Sequence, residues 1–86
     1  MEITYDPAKN AFNIEWRGLP FDRVAELDWS SAVIVEDTRR AYGEPRYRAF
    51  GYIGERLHVV VFTPRGTAVH VISFRKANSR EVKRHG

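Results

Sequence analysis

The sequence predicts an α+β fold: two N-terminal helices packed on one face of an antiparallel sheet of about four strands, followed by a short C-terminal helix. Three observations carry this expectation. Helix-start signals, Asp6-Pro7 and Pro20, are confined to the early part of the 86-residue chain. From Ser31 onward the pattern is β-type, with runs of β-branched and aromatic residues broken by glycine- and proline-containing turns. The last three of those runs are joined by short turns, which favours an antiparallel meander.

Glu2–Tyr5 reads as a short strand. Asp6 is placed to cap the free N–H groups of a helix that begins at Pro7, and Gly18 is placed to stop it after Arg17. Ala8, Phe12 and Ile14 or Trp16 are the expected buried stripe of that helix. Pro20 opens a second helix, with Phe21, Val24 and Ala25 at i, i+3, i+4 and Leu27 bordering their face. Residues 32–36 form a strand, and residues 37–45, including Arg39, Arg40 and Tyr42, form a polar connection. Strands follow at 46–53, 57–63 and 67–75, turning at Gly54-Glu55-Arg56 and Pro64-Arg65-Gly66. Asn78-Ser79-Arg80-Glu81 has the spacing of a capping box and opens the C-terminal helix.

The length fits one domain, residues 1–86, with one small core. There is no cysteine, so thiolate metal sites and disulfides are excluded. His58, His70 and His85 lack the spacing of a zinc-binding helix. No cofactor is expected. No apolar run approaches the roughly 20 residues of a membrane span, and no signal peptide is visible, so the expected location is the cytoplasm. Charge is split along the chain. Residues 1–43 carry five Lys/Arg against eight Asp/Glu, whereas residues 44–86 carry nine against three, seven of the nine being arginine. Arginine binds phosphate through two parallel hydrogen bonds, so the C-terminal half suits a polyanion, RNA foremost; a merely solvated basic face is the plain alternative.

Alternation along the strands places Arg46, Arg48, Phe50 and Tyr52 on one face. Val69, Val71, Ser73 and Arg75 share a face of the last strand, and His70 falls on the other unless a bulge intervenes.

Five segments, in order and at matching spacing, resemble the BrnT family of toxins. Tyr5-Asp6-Pro7-Ala8-Lys9 with Asn13 resembles the family's W-D-x-x-K-x-x-x-N. Gly18-Leu19-Pro20-Phe21 with Ala25 resembles G-V-x-F-x-x-A. Tyr42-Gly43-Glu44-Pro45-Arg46 and the following Gly51 resemble Y/D-G-E-x-R and its glycine. Residues 59–66, ending Thr63-Pro64-Arg65-Gly66, resemble V-V-V-x-T-x-R-G. Residues 69–77 with Glu81 resemble R-I-I-S-A-R-x-A-x-x-x-E. Two places depart from the pattern. The family's K-H-G is Trp16-Arg17-Gly18 here, and its first arginine of R-I-I-S is His70.

The resemblance implies a RelE-like fold and a metal-independent endoribonuclease that inhibits translation, acting through scattered basic residues. It also implies a BrnA-like antitoxin partner and operator DNA bound by the toxin–antitoxin complex. Such cleavage needs a base for the 2′-hydroxyl, an acid for the leaving oxygen and cations for the developing charge. Candidate catalytic residues are Arg75, Arg46, His70 and Glu44. Arg75 would stabilise the transition state, or else pair with Glu44 or Glu81. His70 would exchange protons, or else be a packed histidine. Lys9, Asn13, Arg17, Arg48, Arg65, Lys76 and Arg80 are candidate RNA contacts. Trp16 and Trp29 are candidates for base stacking, with core or interface packing as the alternative. The missing K-H pair motivates a second function, a catalytically weak binding module acting with its antitoxin in a repressor complex.

Overall fold

A computed structural model describes residues 1–39, 41 and 43–86. Arg40 and Tyr42, both assigned to the polar connection, lie outside the described residues. Element order is β1 (Glu2–Tyr5), α1 (Pro7–Arg17), a 3₁₀ helix (Phe21–Glu26), β2 (Val33–Glu36), β3 (Tyr47–Ile53), β4 (Arg56–Arg65), β5 (Ala68–Lys76) and α2 (Ser79–His85). The strands form one sheet in the order β1-β5-β4-β3-β2. β3, β4 and β5 are the expected antiparallel meander.

Two expectations are corrected. The sheet has five strands and is mixed, because β1 pairs parallel with β5, Thr4 lying opposite His70. That pairing joins the two ends of the chain, and no local pattern encodes it. There is also one N-terminal α-helix rather than two. The segment after Pro20 winds as a 3₁₀ helix of six residues. Its three-residue turn aligns Phe21, Val24 and Leu27, all buried, and leaves Ala25 exposed. An α-helical turn would have brought Ala25 onto that face instead.

α1 has the expected boundaries. Asp6 Oδ1 accepts from the Ala8 N–H at 2.9 Å, and Gly18 closes the helix at φ 66°, a left-handed geometry that suits glycine. Its packing differs from expectation. Beyond the end of β1, α1 lies along the free edge of β5 rather than on the sheet face. Its buried residue is Asn13, whose Nδ2 donates to Leu19 O at 2.8 Å and Phe74 O at 3.0 Å. Phe12, Ile14 and Trp16 stay exposed.

One sheet face carries the main core. Leu19 and the 3₁₀ residues pack on Ala49, Val60, Phe62, Val71 and Phe74. The other face holds a smaller cluster, Phe50, Leu57, Val59 and Ala77. α2 is tied to this face by the His85 ring, stacked on Phe50 at 3.8 Å. The capping box is formed: Asn78 and Glu81 each accept the other's backbone N–H at 2.9 Å.

A bulge sits in β5. Val61 pairs with Ser73 and Phe62 with Val71, so Ile72 is the extra residue. It lets both Val71 and Phe74 enter the main core. The same slip puts His70, opposite Thr63, on the face that carries Ser73 and Arg75.

Candidate functional site: an arginine cleft

The sheet face left open beside α2 carries a cleft of about 390 Å³. Four arginines from three parts of the chain converge there: Arg39 from the loop after β2, Arg46 just before β3 and Arg48 near its start, and Arg75 from β5. Val61, Ile72 and Ser73 form its floor, and Asp37 and Glu81 are the two carboxylates among its described lining residues. Cross-strand register explains the convergence. Arg48 pairs with Val61, and Val61 pairs with Ser73, so one row crosses three strands.

Arg39 and Arg75 are ion-paired. Arg39 forks onto Asp37, both bonds at 2.9 Å, and the Asp37 side chain is only 1% exposed. Arg75 forks onto Glu81 at 2.7 and 2.9 Å, which settles its carboxylate partner as Glu81 rather than Glu44. This fork occupies two of the guanidinium's five N–H groups. The Arg75 hydrogen bonds hold the Glu81 carboxyl down at about 2, from an ordinary 4.5. Arg48 is different. Its Nε is buried with no hydrogen-bond acceptor, and its guanidinium carbon lies 5.8 Å from the centre of the Phe50 ring. A buried N–H of a permanent cation without an acceptor is costly unless an anion supplies one.

The Arg75–Glu81 pair makes stability depend on pH. Because the folded carboxyl is lowered from 4.5 to about 2, its contribution is complete above pH 4.5 and fades as pH falls towards 2. Glu81→Gln keeps the capping hydrogen bond and removes the charge. Wild type is expected to lose about 1–2 kcal/mol more than this variant across that window, allowing for solvent screening. Urea midpoints measured from pH 6 to pH 2 check it; parallel curves for the two proteins would refute it.

The remaining candidates spread around the cleft. His70 lies on the same sheet face but is not among the cleft lining; its Nδ1 is 2.8 Å from Thr4 Oγ1. Burial, and then the charge of Arg65, push its pKa below 6.5, so it is neutral near pH 7. Glu44 pairs with Arg65 at 3.1 Å, away from the cleft. Arg17 donates to Asn13 Oδ1 at 3.2 Å and lines a separate hollow with Leu19, Arg75 and Lys76. Lys9 is exposed on α1, and Lys76 and Arg80 are exposed at the end of β5 and on α2. Asn13 spends its amide on backbone carbonyls, which makes it a clasp for the β5 edge.

His58 is a packed histidine, 3% exposed, with Nδ1 2.8 Å from Arg56 O. Trp29 is also structural: its Nε1 donates to Val24 O at 3.1 Å and its ring meets Phe62 edge-on. Trp16 is 69% exposed, so core packing does not describe it. Sequence reasoning missed Arg39 and Asp37 as members of the site. They lie in a connection without periodicity, and the only signal was the i, i+2 spacing of an acid and an arginine.

Among the described residues, no group of three or more His, Asp or Glu is placed to hold a metal ion. No helix among them is long and apolar enough to cross a membrane. A search of curated proteins finds no match. A family model described as "Ribonuclease toxin, BrnT, of type II toxin-antitoxin system" matches residues 5–81.

Proposed function

Because the chain belongs to the BrnT family of ribonuclease toxins of type II toxin–antitoxin systems, we propose that the arginine cleft is where it holds and cuts RNA. The family implies an antitoxin protein as partner. The observation that carries the reading is the convergence of four guanidiniums against two carboxylates in one open cleft, with the Arg48 Nε buried and unsatisfied. A phosphodiester offers paired acceptor oxygens to the guanidiniums that line the cleft.

In this reading Arg46 and Arg48 grip the scissile phosphate. Arg75 faces the charge that develops on it, with Glu81 fixing the plane of the guanidinium. Charge stabilisation by preset donors is the main source of acceleration. His70, on the same sheet face but outside the cleft lining, takes the 2′-hydroxyl proton: Thr4 holds its ring through Nδ1, which leaves Nε2 for the proton. The 2′-oxygen bonds to phosphorus as the bond to the 5′-oxygen breaks, and water protonates that leaving oxygen. Glu44, beside it, tunes His70 through its negative charge. Lys9, Arg65, Lys76 and Arg80 add attraction for the RNA backbone. No step needs a metal ion. Cleavage of cellular RNA stops translation, a BrnA-like antitoxin covers the basic cleft, and the complex binds operator DNA.

Purified protein is expected to cut single-stranded RNA with EDTA present. Its rate falls on acidification at a pH below the ordinary imidazole value of 6.5, and His70→Ala lacks that acid limb. An EDTA-sensitive activity, or an unchanged pH profile in the variant, would overturn the corresponding part of the scheme.

One observation favours a second reading. No imidazole lines the cleft among the described residues, which suits a module that binds RNA or antitoxin without cutting. Expression without the antitoxin separates the two: growth arrest supports the nuclease, and harmless expression with retained antitoxin binding supports the module.

A further inference from the structure

We propose that the α1 face bearing Lys9, Phe12 and Trp16 is a stacking subsite for unpaired bases of the RNA that flank the phosphate held in the arginine cleft. This inference rests on the ribonuclease reading above and adds a subsite to it.

Lys9, Phe12, Asn13, Trp16 and Arg17 recur at i, i+3, i+4, i+7 and i+8, so they form one stripe on α1. In most surface helices such a stripe faces the core. Here only Asn13 is buried, because α1 lies along the β5 edge. Phe12 and Trp16 remain 60% and 69% exposed. Their rings lie together, with centroids 5.8 Å apart and planes inclined by 37°. The pair contributes little to the fold and presents two flat rings to solvent.

What should cover them follows from their surroundings. A hollow of about 290 Å³ beside the pair is lined by Lys9, Phe12, Asn13, Arg17, Ile72 and Ser73, among others. Ile72 and Ser73 also form the floor of the arginine cleft, so the two depressions share a wall. A strand leaving the cleft across the β5 bulge arrives at the aromatic pair. Neither Lys9 nor Arg17 forms an ion pair with a carboxylate among the described residues. Aromatic faces bracketed by unpaired cations match single-stranded RNA, whose bases stack while its phosphates bind the cations. Ser73, exposed in part at the shared wall, offers a hydroxyl to the connecting ribose or phosphate.

The test uses the full chain and a mixed-sequence 2′-O-methyl RNA oligomer, which binds but cannot be cut. Trp29 is half-buried against Phe62, so the part of the tryptophan quenching that Trp16→Phe loses is the part that reports Trp16. Wild type is expected to show quenching. Trp16→Ala should weaken binding about tenfold, the size of one lost stack, with Phe12→Ala similar and Trp16→Phe close to wild type. An oligomer of the same length without bases should bind wild type and Trp16→Ala equally. Equal binding of the base-bearing oligomer by wild type and both alanine variants would overturn the subsite. If Arg48→Ala still abolishes binding in that case, the cleft reading stands alone. If no protein binds the oligomer, both readings fall. Loss of antitoxin binding in Trp16→Ala with RNA affinity intact would assign the face to the protein partner and also overturn the proposal.

Discussion

Arg46→Ala and Arg48→Ala should each lower the rate of RNA cleavage by about 100- to 1000-fold, the effect of deleting one preset donor to a transition-state oxyanion. Both guanidiniums line the cleft, Arg46 from just before β3 and Arg48 from near its start, and Arg48 Nε is buried without an acceptor. Neither variant should unfold the protein. Removing Arg48 relieves a buried unsatisfied N–H, which offsets the lost packing against Phe50. Lys76→Ala and Arg80→Ala are the controls. Both are exposed cations, and each should cost no more than a few-fold, an effect that shrinks further as salt rises. Initial rates on a labelled single-stranded RNA, with EDTA and at two salt concentrations, distinguish the classes. If the exposed pair matters as much as the buried-cleft pair, the cleft is an electrostatic surface rather than a catalytic one.

The second large effect concerns folding. Gly51→Val should destabilise the protein by about 2–3 kcal/mol and lower its melting temperature by roughly 10–20 °C. Gly51 lies in β3 beneath Leu27. A Cβ there would come within 2.8 Å of both Leu27 Cγ and Cδ2, and 3.3 Å from the Ala32 methyl. Leu27 is itself 4% exposed and cannot swing into solvent, so the clash must move the segment that closes the core. For a domain of this size the whole margin is about 4–13 kcal/mol. Leu27→Ala is destabilising alone, but in the Gly51→Val background it makes room for the new side chain. The double variant should therefore be more stable than the two single effects added together. Thermal melts followed by circular dichroism give all four values. Strict additivity would show that the valine is accommodated elsewhere.

This glycine illustrates what the chain makes legible and what it conceals. Its presence after the Gly43-Glu44-Pro45-Arg46 segment was part of the resemblance, but its reason is an approach by Leu27, 24 positions away in sequence. The capped start and glycine stop of α1, the meander of the last three strands and the Asn78–Glu81 capping box were all readable. Each depends on residues within a few positions of one another. The segment after Pro20 is ambiguous in sequence, because Phe21, Val24 and Leu27 fit a three-residue turn as well as Phe21, Val24 and Ala25 fit an α-helical one. Burial against the sheet decides between them.

At the site the same division holds. Concentration of arginine in the second half of the chain, and the order of five motif segments, pointed to an RNA-cutting toxin family before any coordinates. Alternation also grouped Arg46 with Arg48 on a face of one strand and put Arg75 beside Ser73 on a face of the last. The chain left open whether His70 joined them, because strand alternation puts residues 70 and 75 on opposite sides. The bulge at Ile72 reverses that assignment, and a bulge leaves no mark in local composition. Nor could the sequence choose the carboxylate that pairs with Arg75, or show that Phe12 and Trp16 face water.

The amino-acid order by itself determined the boundaries of most elements, the placement of positive charge and the family, since these follow from local propensity and from residue types in sequence. Only the tertiary structure decided the parallel β1–β5 pairing, the 3₁₀ turn, the slip in β5 and the membership of the cleft. Those depend on which distant surfaces find room to pack, and that competition is settled in three dimensions rather than along the chain.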